Sequence, residues 1–364
     1  MRISDSYIGK QILLGTLYAV LVLGLVLVLG NLFKKLQPLL VEQKAPLELV
    51  LRFVINVLPM SLMYTVPWGF LTAVLLVFGR LSAGHEITGF RVAGVSLVRL
   101  SAPVFAIGAL LSAGSLWLNT QLVPRSKATT LELVYEQAAR DPKSLLKPGV
   151  VQGNFQGGAE GVQKVLIEDR SGEWVEGFHY HQLNEDGGGR TYVHAARAAL
   201  EVDDANRQLR IKLEDAFFEN HRPDGRIEVA FAGMAEPLLI DLKDPRSRRQ
   251  RPSSMTSTEL RAQLDEEPDA EKRVRLHAEL VKRHSFSMAC LAFAFIAVPL
   301  GLNSRRRESS NGLILSLLIG TGYFLVTVLA RQFPSEAVAS AVLWSPNVIC
   351  AALGVWLFRR ARFR

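Results

Sequence analysis

Six runs without a charged side chain, each close to or above the roughly 20 residues that cross a bilayer as a helix, constrain this chain more than any other feature. They lie at residues 12–33, 53–79, 100–124, 285–304, 309–330 and 337–358. In hydrocarbon every backbone polar group needs an internal partner, so runs of this length read as helices. Three precede a polar middle and three follow it. The expected fold class is a membrane α-helical bundle of six transmembrane helices, three plus three, with an inserted domain. The 49% hydrophobic content is therefore clustered into spans, more than a single soluble core requires. The first run is longer than the apolar part of a secretory signal and is followed by Asn31, Lys34 and Lys35 with no small-residue cleavage site, so it reads as a retained helix.

Lys and Arg in short loops set orientation. Arg2 and Lys10 precede the first span, and Arg80, Arg91 and Arg99 lie between the second and third. Arg305, Arg306 and Arg307 lie between the fourth and fifth, and Arg359, Arg360, Arg362 and Arg364 close the sequence. These segments share one side, which predicts cytoplasmic termini and a periplasmic middle. The formal net charge of +8 is explained by these topological cations, so nucleic acid is not expected as a partner. Lys34, Lys35, Lys44 and Arg52 lie between spans one and two and run against the trend. Both cysteines, Cys290 and Cys350, fall within apolar runs, which excludes a disulfide-stapled external domain.

Between residues 150 and 240 the pattern changes to short alternating stretches. Leu209, Ile211 and Leu213 alternate with Arg210, Lys212 and Glu214, and Ile227, Val229 and Phe231 surround Glu228. Turn residues separate about six such strands, as expected of an antiparallel β-jelly-roll-like domain. The expected domains are residues 1–124 with spans one to three and a cytoplasmic coupling helix near 82–98, residues 125–284 with the β-domain and a connecting helix, and residues 285–364 with spans four to six and a basic tail. A helix from Ala270 reads as running directly into span four. In the 82–98 loop, Ile87, Phe90, Gly94 and Leu97 form a stripe flanked by Glu86 and Arg91, the pattern of a short amphipathic helix along the membrane face.

The sequence holds no Walker A, HExxH or GxSxG pattern, so catalytic residues are not assigned and ATP hydrolysis, if used, belongs to another subunit. No directly bound cofactor is expected. His179 and His181 share one strand face but lack a recognisable third ligand, so no metal site is assigned. Lys34, Lys35 and Arg52 admit two readings: interfacial side chains that snorkel, or cations that neutralise the phosphates of an anionic lipid. Glu86 also admits two: favourable placement in a first helical turn, or contact with a basic groove on a cytoplasmic partner. Pro59, Pro67 and Pro299 predict bent spans.

Two stretches, LPMSLMYTVPWGFLTAVLLVFGRLSAGHEITGFRVAGVS at 58–96 and ELVKRHSFSMACLAFAFIAVPLGL at 279–302, resemble the lipopolysaccharide export permease family LptF/LptG. The stretch ARDPKSLLKPGVVQGNF at 139–155 is similar to the LptF-like branch. The resemblance implies an inner-membrane permease subunit that extracts lipopolysaccharide and delivers it to periplasmic bridge proteins. Its implied partners are a homologous permease subunit and a cytoplasmic ABC ATPase dimer that hydrolyses ATP. It implies ATPase coupling at Glu86, with Arg91 beside it, and lipid-phosphate binding at Lys34 and Lys35, with Arg52 contributing. A mechanotransmission permease usually has four spans, a membrane-embedded hydrolase or transferase needs paired polar groups inside them, and a structural envelope scaffold would tolerate loss of Glu86.

Overall fold

The computed structural model describes residues 3–43, 47–140, 148–153, 162–171, 174–183, 190–203, 208–222, 226–241, 252–302, 309–333 and 335–362. Arg2, Lys44, Arg305, Arg306, Arg307 and Arg364, used above for topology, lie outside the described residues. The chain divides into two compact units, one from residues 1–34, 50–129 and 251–364 and the other from residues 35–49 and 130–250.

The first unit is helical. The helices are α1 (Ile3–Gln43), α2 (Leu47–Ala83), α3 (Glu86–Val92), α4 (Leu97–Trp117), a π-helical turn (Leu118–Leu122) leading into α5 (Val123–Arg140), α6 (Ser257–Glu266), α7 (Ala270–Ser287), α8 (Ala289–Leu302), α9 (Ser309–Leu329) and α10 (Glu336–Arg362), of which residues 35–43, 47–49 and 130–140 belong to the second unit. Among the described residues, five stretches are long and apolar enough to cross a membrane alone: Asp5–Asn31, Val50–Ala83, Leu97–Leu133, Gly312–Leu329 and Glu336–Ala361. The pair α7 and α8, bent by 41°, passes the same test when taken together and gives a sixth candidate span.

That bend corrects the expected continuous helix. The Ser285 carbonyl accepts from Tyr323 Oη at 3.3 Å and from Asn347 Nδ2 at 2.9 Å, and Ser287 Oγ donates back to the Arg283 carbonyl at 2.6 Å. Side-chain donors thus compete for carbonyls that the next helical turn would use, which bends or interrupts a helix.

Helix α8 is the centre of the unit, with Ala289, Cys290, Phe293, Ala294, Ala297 and Val298 buried. Lipid tails are as apolar as leucine, so the association of spans rests on close packing and polar cross-links. A Cβ at Gly354 of α10 would lie 2.5 Å from the Phe295 carbonyl of α8, and one at Gly301 would lie 2.7 Å from Phe78 Cβ of α2. Polar cross-links tie in α4 and the π-helical turn: Asn119 Nδ2 of the turn donates to Ser287 Oγ of α7 at 2.9 Å, and Leu291 N of α8 donates to Ser112 Oγ of α4 at 3.1 Å.

At the α7 end of the bundle, Glu279 accepts from Lys282 Nζ at 3.1 Å and faces Arg283 Nε at 3.7 Å. Arg283 also donates to the Pro252 carbonyl at 3.0 Å and to Ser257 Oγ at 3.3 Å. The three ionic side chains are at most 9% exposed. Buried charges persist when paired and fully hydrogen-bonded.

The second unit carries an antiparallel sheet of β1 (Gln152–Gly153), β2 (Val162–Ser171), β3 (Trp174–Leu183), β4 (Arg190–Asp203), β5 (Gln208–His221) and β6 (Ile227–Asp241). The strands are neighbours in chain order, a meander, so the antiparallel character expected of the domain is present. One face holds Val165, Ile167, Val175, Phe178, Tyr180, Val193, Ala195, Ala198, Ile211, Leu213 and Ala216 as a core. The pleat changes phase across three neighbouring strands, at 175 to 178, 195 to 198 and 213 to 216. Gly177 at φ 60° and Asp215 at φ 51° mark two of these steps. A residue dropped from the ladder keeps apolar side chains on one face through a bend, as a β-bulge does. Strand β6 departs from expectation: Ile227, Val229 and Phe231 are exposed, and Phe231 meets Phe217 in a tilted contact with ring centroids 4.8 Å apart.

Replacing Glu279 by Gln should lower stability by ~3–5 kcal/mol, because it leaves two buried cations without their carboxylate. A thermal melt of the detergent-purified variant within a degree of the parent would contradict this role for the cluster.

Candidate functional site

Two regions of the helical unit concentrate chemistry. The first is the end where α2 stops, α4 starts, and α8 and α10 stop. The start of α1 is joined to it by three polar contacts: Tyr7 Oη donates to Glu86 Oε2 at 3.2 Å, Arg80 donates to Gln11, and Arg99 pairs with Asp5 at 3.3 Å. Within the loop read as helical near 82–98, the helix occupies only Glu86–Val92. His85 enters it in the left-handed region at φ 59°. Gly94 at φ 81° closes it, with Gly94 N donating to the Arg91 carbonyl at 3.0 Å and Val95 N to the Phe90 carbonyl at 2.9 Å. This paired closure is the Schellman motif, for which glycine is preferred.

The short helix therefore presents two kinds of face. Ile87 is buried and Phe90 packs against the core, whereas Arg91 and Val92 are exposed. Glu86, at the first helical position, is half-buried and held by Tyr7. A carboxylate at this place benefits from the helix dipole and remains at the surface as an acceptor. Glu86 and Arg91 lie on one seven-residue helix, as the sequence pattern anticipated.

The second region is a cavity of about 380 Å³ lined by α1, α2, α7, α8 and α9. Aromatic rings dominate it: Tyr64 meets Phe286 edge-on at 5.5 Å and Phe324 at 5.8 Å, and Tyr323 meets Phe286 at 5.6 Å and Phe293 at 5.2 Å. Asn31 and Ser61 supply polar points on the wall. Ser61 Oγ is buried without a hydrogen-bond partner among the described residues. An apolar cavity with a few polar groups is the usual form of a site for an apolar or amphiphilic ligand. Sequence reasoning did not find this region. Its only linear signal is aromatic residues among prolines in α2, and the closing rings come from distant helices.

Lys34 and Lys35 follow Asn31 by one helical turn along α1, and their side chains lie outside the described residues. Arg52 is exposed near the start of α2, where its carbonyl accepts from Asn56 Nδ2 at 2.8 Å.

In the sheet, His179 is held by neighbours: Tyr192 Oη lies 2.8 Å from Nδ1 and Glu168 Oε1 lies 3.2 Å from Nε2. Burial raises the Tyr192 phenol above its ordinary range, and Glu219 and Glu168 add to the rise. Among the described residues no group of three or more His, Cys, Asp or Glu side chains could hold a metal ion.

The sequence model of the family described as lipopolysaccharide export system permease LptF/LptG matches residues 6–360 of the 364. No curated relative matches the chain.

The indole of Trp68 lies across α9 where a Cβ on Gly320 would come within 1.4 Å of its Nε1. Replacing Gly320 by Ala should therefore turn the ring into the cavity. Cys290 and Cys350 are both buried, whereas Asn31 on the cavity wall is partly exposed, so an Asn31→Cys probe can report this. Its reaction with a small thiol reagent should slow several-fold when Gly320→Ala is added, and an unchanged rate would mean that the ring moves elsewhere.

Proposed function

The chain belongs to the lipopolysaccharide export permease family LptF/LptG, and from that premise we propose that it is a permease subunit that draws lipopolysaccharide out of the inner membrane and passes it to a periplasmic bridge toward the outer membrane. The family is the permease component of lipopolysaccharide export, a transport subunit of the inner membrane. The match takes in LptF and LptG alike. The observation that carries the finer reading is the aromatic cavity among α1, α2, α7, α8 and α9.

Several features support it. The cavity walls suit acyl chains, and the unpartnered Ser61 hydroxyl is the kind of group that a polar linkage of a lipid satisfies. Lys34 and Lys35, one turn beyond Asn31, are proposed to neutralise phosphates of the headgroup, with Arg52 contributing; charge-assisted contacts of this kind are the strong ones. The periplasmic β-domain would receive the lipid along its apolar face. Large apolar side chains remain exposed on α1 and α9, among them Leu17, Leu21, Leu25, Leu317 and Leu318, a surface for lipid or for a homologous permease.

Withdrawing a lipid costs roughly 0.8 kcal/mol for each CH₂ taken from the bilayer, so the step needs an external energy source. The sequence holds no Walker A pattern, and the proposed source is a cytoplasmic ABC ATPase dimer. Helix α3 is the proposed docking element, with Glu86 as acceptor for a basic groove and Arg91 beside it. Helix α2 leads from the α3 end to the cavity, through Arg80, Trp68 and Tyr64. Motion at one end can thereby reach the other.

Glu86→Lys should reverse the charge offered to the ATPase, and either copurification of the ATPase or lipid release per ATP should fall at least several-fold. Normal values for both would remove Glu86 from the interface. The double change Lys34→Asp and Lys35→Asp should cut photocrosslinking to lipopolysaccharide by a comparable factor, whereas unchanged crosslinking would return both residues to the role of interfacial anchors.

A further inference from the structure

The pocket at the α3 end of the bundle is separate from the aromatic cavity and has a different chemistry. It has a volume of about 470 Å³, within the range of small-ligand sites, and two arginines enter it, Arg91 from α3 and Arg360 from the last turn of α10. The other basic residues contributed to this end by α2 and α4 are engaged, Arg80 with Gln11 and Arg99 with Asp5. Among the described residues no acidic side chain pairs with Arg91 or Arg360. Two like charges sharing one pocket repel each other, and an anion between them removes that cost.

Two hydroxyls, Ser82 and Thr88, line the same space. Ser82 donates its proton to the Leu302 carbonyl at 2.9 Å. The deeper wall is apolar, formed by Leu97, Pro299, Leu302 and Leu357. Pro299, Leu302 and Leu357 lie inside charge-free runs, near the ends that arginines follow. Trp356, an interfacial residue type, is 55% exposed, and the Arg360 guanidinium sits 5.6 Å from the centroid of its ring.

We propose that this pocket binds the phosphate of an anionic phospholipid from the cytoplasmic leaflet, with Arg91 and Arg360 on the phosphate and the glycerol and first acyl carbons against Leu97, Pro299 and Leu357. Guanidinium groups match phosphate oxygens in a planar, forked geometry, and basic pockets between spans on the cytoplasmic side suit lipid headgroups. A free phosphate would leave the apolar wall uncovered, and the carboxylate of a soluble partner would stay at the mouth. The bound lipid bridges α3 to α10. Only the choice of leaflet rests on the orientation proposed above.

The test uses the whole transporter complex, purified through limited delipidation and examined by native mass spectrometry for bound phospholipid. Phosphatidylglycerol should be retained over phosphatidylethanolamine, and Arg360→Gln alone or with Arg91→Gln should reduce its occupancy at least fivefold. Because a variant can lose lipid by misfolding, wild-type complex is also labelled with photoreactive phosphatidylglycerol. The label should map to the segments around Arg91 and Leu357, and excess unlabelled phosphatidylglycerol, but not millimolar inorganic phosphate, should displace it. Equal retention of the two lipids, labelling elsewhere, or displacement by inorganic phosphate would overturn the proposal. So would disulfide or chemical crosslinking of Arg360→Cys to the ATPase with no lipid label. Each readout is independent of lipopolysaccharide, so loss of the export reading and loss of this one are distinguishable.

Discussion

In hydrocarbon, two apolar helices gain little by leaving lipid for each other, and what remains to hold them is the closeness of their backbones and the few polar groups that they share. The bundle is organised by that constraint around α8. Gly354 lets α10 lie on the Phe295 backbone, and Gly301 lets α2 approach at Phe78. Helices α7, α9 and α10 are then cross-linked through Ser285, Tyr323 and Asn347, whose groups are mutually hydrogen-bonded and buried. A buried network of this kind stabilises only when its members are satisfied together. Its cost is visible at the start of α8, where the Ser285 carbonyl serves α9 and α10 and the helix bends.

Much of the architecture was legible in the sequence because a bilayer leaves few choices. Charge-free runs of span length become helices, and an alternating middle becomes antiparallel strands. What was not legible depends on partners distant in the chain. Nothing local to Ser285 announces that Tyr323 and Asn347 will claim its carbonyl, so a helical pattern from Ala270 onward reads as unbroken. In the sheet, strict alternation predicts one phase along each strand. Gly177 and Asp215 adopt positive φ, and the phase shifts between Val175 and Phe178 and between Leu213 and Ala216. The same logic explains Ile227, Val229 and Phe231: they alternate like a buried face, yet they lie on the side with Phe217, opposite the core.

The candidate sites divide in the same way. Glu86 and Arg91 were legible because a seven-residue helix places them by local rules, with Gly94 ending it by its backbone conformation. The aromatic cavity was hidden because Tyr64, Phe286 and Tyr323 come from three helices. Arg360 looked like one of several tail arginines that set topology. Its position beside Arg91 depends on how α10 packs on α8 at Gly354.

These packing rules bear on how the aromatic cavity and the short helix α3 in one unit can influence each other. Helix α2 reaches both, and Pro59 and Pro67 bracket Ser61 and Tyr64 within it. A proline removes one backbone donor and frees the carbonyl a turn earlier, so this stretch is the easiest part of α2 to bend. Thr65 adds a second buried hydroxyl without a partner among the described residues. Unsatisfied groups beside two prolines lower the cost of rearranging that segment, since fewer bonds must be broken. At the other end of α2 the packing is tight, with Phe78 against Gly301 and Ser82 bonded to Leu302. A displacement of α3 therefore meets a stiff joint to α8 and a compliant segment at the cavity.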